Sequence, residues 1–85
     1  PASQVPWNVV RMYSEVRFET DKGSEHKIKL VYPEDADIIR DHLSVLSPIG
    51  IALIGLSEGQ AMRWTDRAGE KRWLKVLEVS QPSED

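Results

Sequence analysis

Two alternating runs stand near the start of the chain. From Val10 the even positions are Val10, Met12, Ser14, Val16 and Phe18, while the odd ones include Arg11, Glu15, Arg17 and Glu19. Successive side chains on a strand point to opposite faces, so this period of two predicts a half-buried strand. Asp21-Lys22-Gly23 is a turn signal, and beyond it His26, Ile28, Leu30 and Tyr32 alternate with Lys27, Lys29 and Val31. The two runs predict a β-hairpin. Its outer face would carry Arg17, Lys27 and Lys29 interleaved with Glu15, Glu19 and Glu25, a solubilising mixture of charge. Pro33 cannot donate to a strand ladder and ends the second strand.

The periodicity then weakens. In Glu34 to Leu43 (EDADIIRDHL) the residues Ala36, Ile39 and Leu43 have the spacing of a helical face, but the span is short. It predicts a loop with one helical turn, followed by a brief strand at Ser44 to Leu46. Next comes LSPIGIALIGLSEGQ, the most apolar run in the chain. Ser47 suits a helix N-cap, and Pro48 suits the first helical position, where its missing N–H is no loss. Ile49, Ala52, Leu53 and Leu56 fall on one face of a short helix. Ile51 and Ile54 lie opposite, which predicts a helix enclosed on more than one side. Gly50 inside it costs about 1 kcal/mol relative to alanine, and so implies close approach by another backbone or by a partner.

Gln60 to Val79 predicts a second hairpin. Met62 and Trp64 alternate with Arg63 and Thr65, Asp66 to Glu70 turns with Gly69, and KRWLKVLEV returns. Leu74 and Val76 share one parity whereas Leu77 and Val79 share the other, so a bulge or cover on both faces is expected. Trp64 and Trp73, on either side of the turn, would pack across the strands or form an exposed aromatic contact surface. The sum is an α+β fold, a curved antiparallel sheet of two hairpins wrapped around one short helix. Residues 1–8 read as a linker or extended arm, 9–79 as the domain and 80–85 as a polar tail.

Composition narrows what such a domain can do. Eighty-five residues make one small domain, and 40% hydrophobic with 29% charged residues is the balance of a globular chain. Without cysteine it has neither disulfides nor thiolate ligands, so packing alone must hold it. The longest apolar stretch, Ile49 to Leu56, is far short of the roughly 20 residues that span a bilayer. Eleven Lys and Arg interleave with fourteen acids for a net charge of -3, which argues against direct, base-specific binding of nucleic acid.

No constellation carries catalysis or a cofactor. His26 and His42 have no further His or Cys with which to build a metal site. Glu34, Asp35, Asp37 and Asp41 fit no calcium loop and read as a solvated acidic connection. Ser47 lacks a nucleophile elbow, and Gly50, Gly55 and Gly59 are spaced for no dinucleotide loop. What remains is Leu46, Ser47, Pro48, Ile49 and Gly50, apolar residues at a helix mouth that offer an anchor for another protein.

The succession S-P-I-G-x-A-L-I-G-L-x-x-G-Q, then a Trp-bearing strand, a Gly turn and W-L-K-V-L-E-V, resembles the C-terminal domain of the GreA/GreB transcript cleavage factors, whose fold is FKBP-like. The likeness covers about residues 9 to 79. Val9 to Phe18, Leu30 to Pro33 and Ser44 to Gly50 resemble more closely the Rnk branch, the regulators of nucleoside diphosphate kinase.

The resemblance implies a bacterial, cytoplasmic, non-catalytic module that binds RNA polymerase. In the cleavage factors this domain docks on rim helices at the secondary channel through the segment that matches Leu46 to Gly50. A polar residue often precedes the Ser-Pro there, and this chain has Leu46 instead. The acidic tip that aids cleavage sits on an N-terminal coiled coil that these residues do not contain, so no cleavage chemistry is carried over. In a longer chain a helical hairpin would precede Pro1. Two rival functions follow from the same likeness: FKBP-like peptidyl-prolyl isomerase activity, and direct regulation of nucleoside diphosphate kinase.

Overall fold

The computed structural model describes residues 7–82, so most of the expected arm and the end of the tail lie outside the described residues. Strands β1 (Glu15–Thr20) and β2 (Glu25–Val31) form the first hairpin. Two single 3-10 turns, Pro33–Asp35 and Ile38–Arg40, lead to β3 (His42–Ser44), helix α1 (Pro48–Leu53) and the second hairpin, β4 (Ala61–Thr65) with β5 (Lys71–Ser80). The sheet order is β3-β2-β1-β5-β4. β1 and β5 pair antiparallel at its centre and so join the two hairpins.

The sheet is mixed rather than purely antiparallel, because β3 runs parallel to β2. A parallel neighbour needs a crossover instead of a tight turn, and the acidic connection supplies it. It forms two 3-10 turns, and Ala36 and Ile39 are exposed, so the helical spacing there marks no buried face. The brief strand lies at His42–Ser44, two residues earlier than expected.

The even positions of the first run do point inward: Val10, Ser14, Val16 and Phe18 are all buried. Yet the strand begins only at Glu15, because Tyr13 adopts φ 69°, a left-handed conformation that no strand tolerates. The residues before it pair elsewhere, Val10 N donating to Leu56 O at 2.8 Å and Gly55 N to Val10 O at 2.9 Å. Gln81 fastens this segment. Its Oε1 accepts from Arg11 Nε at 2.9 Å and Ser14 Oγ at 2.7 Å, while its Nε2 donates to the carbonyls of Trp7 and Val9 at 2.8 and 2.7 Å.

The expected bulge is present. Arg17 pairs with Glu78 but Phe18 pairs with Val76, leaving Leu77 as the extra residue, so that Val76 and Val79 both reach the core. Beyond the end of the β4 pairing, Glu58 Oε2 accepts from Val79 N at 2.9 Å. Phe18, Leu30, Leu53, Leu74 and Val76 close the interior. Each such burial contributes about 1.5–3 kcal/mol. On the outer face Arg17 holds Glu25 at 2.8 Å and approaches Glu78 at 3.6 Å, as the alternating charges anticipate.

Two packing expectations fail. The register pairs Trp64 with Arg72 and Arg63 with Trp73, so the indoles stand one step out of line and on opposite faces, and they do not pack together. Helix α1 is covered by the sheet on one side only: Ala52 and Leu53 are buried while Ile51 is 60% and Ile54 39% exposed. A single bent sheet has no second layer to cover the far side.

Candidate functional site

The site begins with a rigid corner. Between β3 and α1 the Ser47 N–H and Oγ–H both donate to Ser44 O, at 3.0 and 2.7 Å, and Leu46 N donates to Ser44 Oγ at 3.0 Å. Ser47 Oγ also accepts from Gly50 N at 3.0 Å, which makes it the N-cap of α1, with Pro48 at the first turn. Gly50 is buried beneath this corner. A Cβ there would overlap the Ser44 carbonyl oxygen, so the close approach is intramolecular and only glycine permits it.

Of the five sequence-derived residues, Leu46 projects most, at 69% exposed, and Ser47, Pro48 and Ile49 are half-buried. Ser47, Pro48 and Ile49 form one side of an open groove of about 390 Å³. Leu43 of β3 joins them. Facing them stand Trp64 from β4 and Asp66, Arg67 and Ala68 from the β4–β5 turn. Leu46 and Gly50 lie outside this lining.

The turn side of the groove was legible only as a turn. Its parts are held by a charge relay across the hairpins. Asp66 Oδ1 accepts from the backbone N–H of Ala68 and of Glu70, both at 2.9 Å, and Oδ2 lies 3.6 Å from Arg72 Nη1. The Glu70 N–H first, then Ala68 and Arg72, hold its carboxyl below the ordinary carboxylate range despite an opposing desolvation. Arg72 Nε donates to both oxygens of Asp21, at 2.9 and 3.1 Å, and the guanidinium stacks on Trp64, 5.6 Å from the ring centroid. Trp64 Nε1 is buried without an acceptor among the described residues. The signal in the sequence was the inward parity of Trp64 with Met62, but which element faces it depends on where α1 lies.

A bent sheet clasping one capped helix, with a groove open at the helix mouth, defines a small α+β domain whose accessible feature is a concave apolar surface. The profile of the family described as "Transcription elongation factor, GreA/GreB, C-term" matches residues 4–81. The chain belongs to the GreA/GreB transcription elongation factor family, through that C-terminal domain. It is 35% identical over 82 residues to the regulator of nucleoside diphosphate kinase of Escherichia coli K12, covering 95% of this chain and 60% of that protein. With the transcription elongation factor GreA of Thermotoga neapolitana it shares 37% identity over 60 residues, 71% of this chain and 38% of that one. A solved GreA/GreB elongation factor from Nitrosomonas europaea superposes with TM-score 0.72 at 35% identity, over 92% of this chain and 65% of the other. The chain thus spans less than two thirds of the length of these relatives. The family is transcription-related and regulatory.

Proposed function

We propose that the domain docks on bacterial RNA polymerase near its secondary channel and modulates elongation without catalysis of its own, in the cytoplasm. The observation that carries this reading is the helix mouth: Leu46 exposed, Pro48 and Ile49 half-exposed, all three fixed by the Ser44–Ser47 corner beside an apolar groove. A preorganised apolar anchor loses little conformational freedom on binding, so a contact on the order of 1,000 Å² or less can hold through a few residues.

Pro48→Asp tests it. Aspartate is favourable in the first turn of a helix, so the fold survives while a charge enters the anchor. Binding to polymerase core, followed by biolayer interferometry, should weaken at least about tenfold, the loss seen when a central anchor is truncated. Unchanged binding by a variant with wild-type circular dichroism would exclude this contact. A prolyl isomerase pocket calls for several aromatics, and among the described residues Trp64 is the single aromatic at the groove.

A further inference from the structure

Away from the helix mouth two apolar surfaces stand uncovered, and they are flanked by opposite charge. The first is the crossover turn Ile38–Arg40, where Ile38 and Ile39 are 89% and 91% exposed. The turn is fixed rather than loose: Asp37 Oδ1 accepts from Ile39 N at 3.1 Å, and Asp37 and His42 exchange both backbone N–H···O bonds at 2.9 Å at its base. Acids surround the pair. Of Glu34, Asp35, Asp37 and Asp41, only Asp37 has an ion pair among the described residues, a long one of 3.6 Å to Arg40. The second surface is the outer face of the β4–β5 hairpin, where Lys71, Trp73 and Lys75 alternate outward and Arg63 stands opposite Trp73. Trp73 is 42% exposed. Glu70 leads into Lys71 and Glu19 stands opposite Lys75, so the positive charge is least offset at Arg63, beside the indole. Arg63 has no ion pair among the described residues.

We propose that these two surfaces receive each other, the Ile38–Ile39 turn of one copy of the chain seating on Trp73 and Arg63 of a second copy. The sheet order β3-β2-β1-β5-β4 keeps the turn and the indole toward opposite ends, so one chain does not close the contact on itself. Two adjacent isoleucines on a fixed turn lose little freedom on binding, and an exposed indole is the kind of flat apolar surface enriched in contact cores. Charge then sets the orientation. Acids around the isoleucines meet Arg63 with Lys71 and Lys75 beside it, whereas turn against turn or basic face against basic face would repel. The contact is therefore between unlike patches. Its core of two isoleucines and one indole falls below the roughly 1,200 Å² of a standard interface, so association is weak, with a dissociation constant on the order of 100 µM. None of these residues lines the groove or belongs to the helix mouth, so the contact is independent of polymerase docking.

Sedimentation equilibrium of the full chain from about 10 µM to 1 mM tests it, since that range brackets the expected constant. The average mass should rise with concentration. Ile38→Ser combined with Ile39→Ser, and separately Trp73→Thr, each first checked by thermal melting, should weaken association at least about tenfold. An equimolar mixture of the two variants should associate again as pairs, because one keeps the basic face and the other keeps the turn. Arg63→Glu should weaken association roughly threefold to tenfold at low salt, and the difference should close as salt rises toward about 1 M. If Trp73→Thr melts early, Arg63→Glu takes its place in the mixture at low salt. A wild-type chain that stays monomeric at about 1 mM overturns the proposal, and so does a mixture no more associated than either variant alone. Association by a well-folded Trp73→Thr equal to wild type would overturn it too, since the turn would then be meeting some other surface.

Discussion

Gly50→Ala separates local propensity from tertiary geometry by sign. In an isolated helix the change stabilises by about 1 kcal/mol. Here the new methyl would fall on the Ser44 carbonyl oxygen and lie 3.0 Å from both Ser47 Oγ and Val45 Cα. The nearest obstacle is backbone, so it cannot yield by rotating a side chain. Shifting it strains the two hydrogen bonds that Ser47 makes to that oxygen, at 3.0 and 2.7 Å, each worth about 1 kcal/mol. Overpacking adds about 1–3 kcal/mol. Set against the propensity gain, the balance is a loss of about 2–4 kcal/mol. For a domain of this size that lowers the thermal midpoint by on the order of 10 °C or more. Urea and thermal denaturation followed by circular dichroism measure it. A midpoint equal to or above wild type would refute the reasoning, since it would mean that α1 does not press on the corner.

Two further outcomes follow from the hydrogen-bond networks. Gln81→Ala removes four bonds and leaves the Ser14 hydroxyl hydrogen buried without an acceptor, so stability should fall by about 2–3 kcal/mol. The Val10 amide should exchange faster in the variant, and unchanged exchange would mean that Gln81 does not hold the leading segment. Asp66, whose folded carboxyl is depressed, contributes stability that is complete above the ordinary carboxylate range and lost as pH falls through the lower folded value. The amide shifts of Ala68 and Glu70 should titrate together with that depressed midpoint, and Asp66→Asn should abolish the transition.

Much of the fold was written locally. Turn residues and a period of two placed both hairpins, and the parity switch between Val76 and Leu77 announced a bulge that the register confirms. Ser47-Pro48 marked the helix start because cap and first-turn preferences are properties of one or two residues. The connection from Glu34 to Leu43 misled because its helical spacing is too brief to compete with the crossover that a parallel β3 demands.

What the sequence determined by itself is therefore the two hairpins, the inward face of the first strand, the capped helix mouth and the family, since each is encoded in contiguous spacing. Which surfaces meet was decided by tertiary structure. Trp64 and Trp73 parted because a hairpin register assigns faces pair by pair. Ile51 stayed exposed because one sheet covers one side of α1. The groove exists because β3, α1 and the β4–β5 turn, distant along the chain, are brought edge to edge by the β1–β5 pairing at the centre of the sheet, and no local pattern specifies that meeting.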